Sequence, residues 1–188
     1  MNDLRADFTG PSGEVTAQSA ADMRSLGEDL GSVLEPGSVV VLTGPLGAGK
    51  TTFTQGIARG LGAAGKVRSP TFTVVREHRP GIRPDGSEGT GMLHMDAYRL
   101  LGDAVDTAVG PQGADLPRET VLDMLESLDI DDDLSDRVLV AEWGRGVVEA
   151  LSSRVIDVEI LRSDPEEGPG VGDLAEEPPR ILRWAWSS

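Results

Sequence analysis

The chain contains no cysteine, which excludes disulfides and thiolate metal sites. It has no run of 18 apolar residues, so no segment reads as a membrane-spanning helix. The start, Met1-Asn2-Asp3-Leu4-Arg5-Ala6-Asp7, lacks the basic-then-apolar order of a secretory signal. A soluble cytoplasmic protein is the simplest expectation. Positive charge is scarce: 17 basic residues face 32 acidic ones, a formal charge of −15. Only Lys50 and Lys66 are lysines. Such an acidic surface opposes direct docking on DNA or RNA, which needs a basic footprint. A local arginine patch or a basic protein partner stays open. The 188 residues suffice for one domain with a real core. With 24 glycines and 12 prolines, part of the chain reads as loop.

What is present centres on Gly44-Pro45-Leu46-Gly47-Ala48-Gly49-Lys50-Thr51-Thr52, which fits the phosphate-cradling pattern G-x-x-x-x-G-K-[ST]. A β-rich apolar run, residues 38–43, precedes it, and residues 52–59 continue as a helix. Gly44, Gly47 and Gly49 let the backbone wrap a polyphosphate. The helix starting near Lys50 aims unpaired N–H groups and its positive dipole end at that anion. Lys50 can reach the β- and γ-phosphates, and the Thr51 hydroxyl can ligate Mg²⁺. Gly44, Leu46, Gly47, Ala48, Gly49, Lys50, Thr51 and Thr52 are therefore the candidate nucleotide-binding residues.

Around this loop the pattern alternates between helix and strand. Residues 4–9 read as a short edge strand, followed by a Gly10-Pro11-Ser12-Gly13 turn. Ser19 and Asp22 stand three apart as a helix cap, and Met23, Leu26, Leu30, Val33 and Leu34 recur at helical spacing until Pro36-Gly37. Residues 72–78 and 92–96 read as strands that pair as a hairpin around the loop 79–91. Residues 101–117 lack apolar periodicity, and 119–128 suggest a short helix with Val121, Leu122, Leu125 and Leu128 on one face. The acidic stretch 129–136 spaces Asp129, Asp131 and Asp133 like calcium ligands. Leu134 and Val140 replace the required Gly and Glu, so a solvated acidic turn is expected. Val138-Leu139-Val140-Ala141 reads as a buried parallel strand ending at Glu142-Trp143. One or two helical turns over 147–152 and a strand over 155–161 follow. The segment 162–179 is acidic and rich in Pro and Gly, so mobility is expected. Residues 180–186 read as a returning edge strand, with Trp184 and Trp186 packing on one face.

A phosphate loop needs a second acidic contact for Mg²⁺, usually at the end of a neighbouring buried strand. Glu142 sits there, after four apolar residues, and Asp96 ends another apolar strand as the other candidate. One can contact the metal while the other orients water or senses the γ-phosphate. Thr71 stands where nucleotide switches place a threonine that reaches Mg²⁺ or the γ-phosphate. Guanine recognition usually rests on N-K-x-D, and Asn2 is the only asparagine, so adenine is favoured. Trp143 either lies near the base or fills core.

These segments occur together and in order: the phosphate loop, Ser69-Pro70-Thr71-Phe72-Thr73, His94-Met95-Asp96-Ala97-Tyr98-Arg99-Leu100, and Glu142-Trp143. From about Leu26 to Leu161 the chain resembles the bacterial TsaE (YjeE) family, the ATPase of tRNA threonylcarbamoyladenosine biosynthesis. The resemblance implies a three-layer α/β P-loop fold with a mostly parallel central sheet and ATP at the loop. It implies that Thr51 and Glu142 ligate Mg²⁺, with Lys50, Thr71 and Asp96 in the catalytic surroundings. It further implies action on a TsaB–TsaD-like complex that modifies adenosine 37 of tRNA, with tRNA reached only through that complex. Pro45 stands where the family commonly has Asp or Asn. The loops 79–91 and 102–117 look longer than the family minimum, and the tail after Leu161 is poorly matched.

Two other readings fit the loop alone. A small-molecule or nucleotide kinase would use an arginine-bearing lid, for which Arg76, Arg79 and Arg83 flank a loop. A regulatory binding module would hold ATP with negligible hydrolysis.

Overall fold

Ser38 to Thr43 carry the signal that organises the molecule: β-branched and apolar residues with no polar alternation, as in a strand covered on both faces. In the computed structural model this run is β2 (Val39–Thr43), buried along its whole length. The structure describes residues 4–70, 74–97, 119, 123, 125, 126, 130–163 and 178–187. Parallel neighbours flank β2 on both sides, β5 (Arg137–Glu142) and β6 (Val155–Arg162). Beyond β5 lies β4 (Gly91–Asp96), also parallel, and then β3 (Val75–His78), antiparallel to β4. On the other side β7 (Arg180–Trp186) and β1 (Ser12–Ala17) run antiparallel. The seven strands are ordered β1-β7-β6-β2-β5-β4-β3. The expected parallel sheet is thus the four-strand centre, and antiparallel strands complete it at both edges.

Alternation along the buried strands feeds two cores. Val40, Leu42, Val138, Val140, Ile156, Val158 and Ile160 face α1 (Ala20–Val33) and α2 (Lys50–Leu61). Val39, Val41, Leu93, Met95, Leu139 and Ala141 face Leu125, Ile130, Leu134, Val147 and Val148. Helix, sheet and helix make the three layers. α1 begins as its sequence dictates: the Ser19 side chain accepts from the Asp22 N–H at 3.1 Å, and Asp22 accepts from the Gln18 N–H at 2.9 Å.

Four elements differ from the sequence expectation. Residues 4–7 are not a strand; Leu4 and Ala6 pack on the core, and Asp29 holds Arg5 and the Ala6 N–H. The edge strand is instead β1, starting inside the expected turn. Gly13 is there because a Cβ would lie 2.2 Å from the Trp184 ring. β7 is interior, between β1 and β6, and its Trp184 ring packs in a tilted arrangement 4.6 Å from that of Phe8. The acidic stretch contains a helical turn, Ile130–Leu134, with Ile130 and Leu134 buried. Of the other expectations, the 75–96 hairpin forms, and 149–151 are a single 3-10 turn. At 119–128, Glu119, Asp123, Leu125 and Glu126 are helical and Leu125 is buried; Val121, Leu122 and Leu128 lie outside the described residues. Arg162 belongs to β6, and 164–177, like 101–117 and Thr71, lie outside them too. Among the described residues no helix is long and apolar enough to cross a membrane.

The helix pair is set by small residues. Gly27 and Gly31 on α1 meet Gly56 and Gly60 on α2 so closely that a Cβ on Gly27 would lie 2.3 Å from the Phe53 carbonyl, and one on Gly56 2.2 Å from the Arg24 carbonyl. Backbone cannot yield as a side-chain end can, so a larger residue must part the helices. Gly56→Val is expected to lower the unfolding free energy by about 3 kcal/mol, read as a lower urea midpoint at unchanged slope.

Candidate nucleotide site

Three parallel strands end together. Leu42 of β2 and Asp96 of β4 are both in register with Glu142 of β5, so the chain leaving β2 turns beside two carboxylates. This is the carboxyl edge of the sheet, where open α/β sheets bind ligands. The turn is possible only with glycine at its start. Gly44 has φ +139°, and a Cβ there would lie 2.2 Å from the Ile160 carbonyl. Gly49, at φ +107°, caps α2 without any side-chain acceptor, so the first-turn N–H groups keep their hydrogen-bonding capacity. The loop closes through the Ala48 N–H, which donates to the Pro45 carbonyl at 3.1 Å.

Two arginines fix the loop from behind. Arg162 at the end of β6 donates from Nη2 to the Gly47 carbonyl at 3.1 Å, and Arg180 of β7 donates from Nε to the Ala48 carbonyl at 3.1 Å. With carbonyls held on that side, the arrangement favours anions over cations in the loop. Leu46 stands at the tip, 89% exposed, whereas Ala48 is buried. Thr52 sits half-buried in the first turn of α2.

Lys50 is buried, and its Nζ donates to the carbonyls of Gly44 at 2.9 Å and Pro45 at 3.1 Å. The same ammonium lies 3.7 Å from the centroid of the Trp143 ring. Burial pushes the Lys50 pKa down, and the nearby charges of Glu142 and Asp96 oppose that shift. Trp143 reaches this place through a left-handed backbone, φ +63°, costly for a bulky residue. Its ring lies against the lysine, within the site. The other left-handed non-glycine among the described residues is Val74, φ +59°, whose carbonyl accepts from the Asp96 N–H at 2.8 Å. Both strained residues adjoin the site, as stored strain commonly does.

Glu142 joins the parts. Its Oε1 accepts from the Thr51 hydroxyl at 3.0 Å and from His94 Nε2 at 2.9 Å. His94 is fully buried, so a carboxylate partner fixes its tautomer with the proton on Nε2. Asp96, also buried, flanks this set. Lys50, Thr51, Glu142, Asp96 and Trp143 are therefore gathered, while Thr71 lies outside the described residues. Hydroxyl and carboxylate oxygens make a hard donor set suited to Mg²⁺. Of the arginines suggested for a kinase lid, Arg83 is elsewhere, donating to the Gly60 carbonyl and the Thr90 hydroxyl near the C-terminal end of α2, whereas Arg76 of β3 stands opposite His94 in the ladder.

Sequence reasoning had no role for His94, Arg162 and Arg180. His94 carried a usable signal, a polar residue inside an otherwise apolar buried strand; the arginines carried none, since their contacts span more than a hundred residues. Because His94 donates to a buried carboxylate, His94→Ala is expected to cost about 2 kcal/mol of unfolding free energy. Combined with Glu142→Gln the loss should be smaller than the sum, measured by a double-mutant cycle in urea.

Known proteins place this geometry in context. The family model described as "Threonylcarbamoyl adenosine biosynthesis protein TsaE" matches residues 17–168. The tRNA threonylcarbamoyladenosine biosynthesis protein TsaE of Mycobacterium tuberculosis strain H37Rv is 41% identical over 182 residues, 97% of this chain and 91% of that one. The protein of the same name from Streptomyces coelicolor is 40% identical over 169 residues, 87% of this chain and 94% of that one. The crystal structure of Bacillus subtilis YdiB superimposes with a TM-score of 0.58 at 23% identity, covering 93% of this chain and 85% of that one, a likeness of fold. With its phosphate loop and a match across most of its length, the chain belongs to the TsaE family of threonylcarbamoyl adenosine biosynthesis proteins.

Proposed function

We propose that the chain binds ATP with Mg²⁺ at the Gly44–Thr52 loop and hydrolyses it in support of a TsaB–TsaD-like complex that carries threonylcarbamoyl to adenosine 37 of tRNA. The observation that carries this reading is the Thr51–Glu142–His94 set beside the loop and its buried lysine. The glycine-shaped turn and the side-chain-free helix start fit a polyphosphate. Thr51 and Glu142 would hold Mg²⁺, which when bound neutralises charge on the phosphate oxygens. Lys50 would exchange its carbonyl acceptors for phosphate oxygens. Asp96 would orient the attacking water as its hydrogen-bond acceptor. Thr71, at the end of the Ser69-Pro70 loop, would report the γ-phosphate. Trp143 would line the nucleotide site through its ring over Lys50. Family membership supports the pathway, and the acidic chain suits a subunit whose partners hold the tRNA.

Lys50→Ala is expected to weaken ATP binding at least tenfold, since a charge-assisted contact contributes about 1.5–3 kcal/mol; equal calorimetric affinity would reject the site. Thr71→Ala should slow hydrolysis more than it weakens ADP binding. The decisive assay is ATP hydrolysis by the chain alone and with the TsaB–TsaD-like pair of the same organism. A rate that rises with the pair, together with repeated threonylcarbamoyl transfer, is the expected result. A rate indifferent to the pair removes the proposed job.

A further inference from the structure

Charge is unevenly spread along this acidic chain. Residues 51–84 contain six basic residues, Arg59, Lys66, Arg68, Arg76, Arg79 and Arg83, against one acid, Glu77, whereas the whole chain stands at −15. The fold gathers most of that excess at the C-terminal end of α2. There the 62–67 segment and the 79–91 loop are tied together: the Ala64 N–H donates to the Arg79 carbonyl at 2.7 Å, and the Gly81 N–H to the Gly62 carbonyl at 2.8 Å. Between them lies a groove of about 610 Å³, lined by Gln55, Ala58, Arg59, Lys66, Ile82 and Pro84 among others.

The groove has the character of a contact surface. Ile82 is 70% exposed and, with Leu46, one of two exposed large apolar side chains among the described residues. Lys66 lines the groove, and beside it stand Arg68, next to the lining residue Val67, and Arg79, whose carbonyl accepts from the Ala64 N–H; all three are exposed, and among the described residues none has an ion-pair partner. Of the acids nearby, Glu28 pairs with Arg59 at 3.1 Å, and Asp85 stays charged while accepting from the Ser87 N–H and hydroxyl. Glu88 is the other acid of the 79–91 loop. Arg83 is occupied beneath the groove by the Gly60 carbonyl and Thr90.

We propose that this groove docks a protein partner through a segment presenting carboxylates around an apolar side chain. Arginine is enriched at protein interfaces, and an exposed apolar side chain such as Ile82 gains by being covered. Nucleic acid fits less well, because among the described residues no aromatic ring lines the groove for base stacking and the chain's net charge of −15 opposes a polyphosphate. The groove runs along the C-terminal half of α2, from Gln55 onward, and the phosphate loop lies at the N-terminal end of the same helix, about 8 Å from Gln55 along the axis. Gln55 of that helix donates to the Val67 carbonyl at 3.5 Å, on the segment leading to Thr71. A partner seated here touches the same rigid element that carries Lys50 and Thr51.

The proposal rests on the functional reading above, since the partner meant is the TsaB–TsaD-like pair. The test measures the affinity of the full chain for that pair in the presence of ATP, at two salt concentrations. The variants are Lys66→Glu/Arg68→Glu/Arg79→Glu together, and Ile82→Ser alone. ATP affinity of each variant, expected to equal wild type, shows that fold and nucleotide site persist. The triple variant is expected to bind the pair at least tenfold more weakly and to lose most of the salt dependence, and Ile82→Ser to weaken binding several-fold. Variants that bind the pair like wild type overturn the proposal while leaving the functional reading intact. An unmodified tRNA transcript, tested alone, overturns it in favour of nucleic acid if it binds wild type but not the triple variant while pair affinity is unchanged. A wild-type chain that does not bind the pair overturns the functional reading and this proposal with it.

Discussion

The structure turns on a carboxylate kept out of water. Glu142 is buried at the end of a parallel strand, where a lone charge would be expensive. Two donors make it tolerable, the Thr51 hydroxyl and the His94 ring, and they come from different elements, α2 and β4. The carboxylate therefore does more than occupy the site. It ties the first turn of the helix to the centre of the sheet, so the height of α2 over the sheet and the position of the phosphate loop are set together. A shift in β4, β5 or α2 would leave a buried polar group without its partner, and that penalty resists the shift.

The glycine contacts between α1 and α2 serve the same constraint from the opposite face. Gly27, Gly31, Gly56 and Gly60 let α1 approach until backbone meets backbone. Behind the loop, Arg162 and Arg180 hold the Gly47 and Ala48 carbonyls from β6 and β7. The loop is thus gripped from sheet, helix and outer strands, which is what a site needs if its N–H groups are to be preorganised rather than ordered by the ligand.

How far the sequence disclosed this follows from the range of each interaction. The phosphate loop, the Ser19 cap and the buried strands β2 and β5 are written in short spans, since dihedral freedom, capping and apolar runs are local properties. Strand β1 was misplaced because its Gly10-Pro11-Ser12-Gly13 start looks like a turn. Gly13 is glycine for the indole of Trp184, which is 171 positions away. The interior place of β7 rests on the same distant pairing. Glu142 and Asp96 were visible as acids ending apolar strands, but that they share a register with each other depends on which strands are neighbours. His94 needed the same knowledge. The two loop-holding arginines could not be found at all without the fold, because an arginine near a strand end is an ordinary surface residue until its neighbour is known.

The state of Lys50 links this architecture to the proposed chemistry. Its side chain is shielded from water, which pushes its pKa down, and the charges of Glu142 and Asp96 oppose that shift while the Trp143 ring lies 3.7 Å away. Two loop carbonyls supply neutral acceptors at 2.9 and 3.1 Å, a weaker environment than a phosphate would give. Under the proposed function, a polyphosphate entering the loop brings anionic acceptors to a cation already desolvated and aimed. Much of the cost of dehydrating that lysine has then been met by folding instead of by binding. The strained backbone of Trp143 fits the same account, since a left-handed tryptophan is unfavourable alone and is offset by the contact it makes with the buried charge.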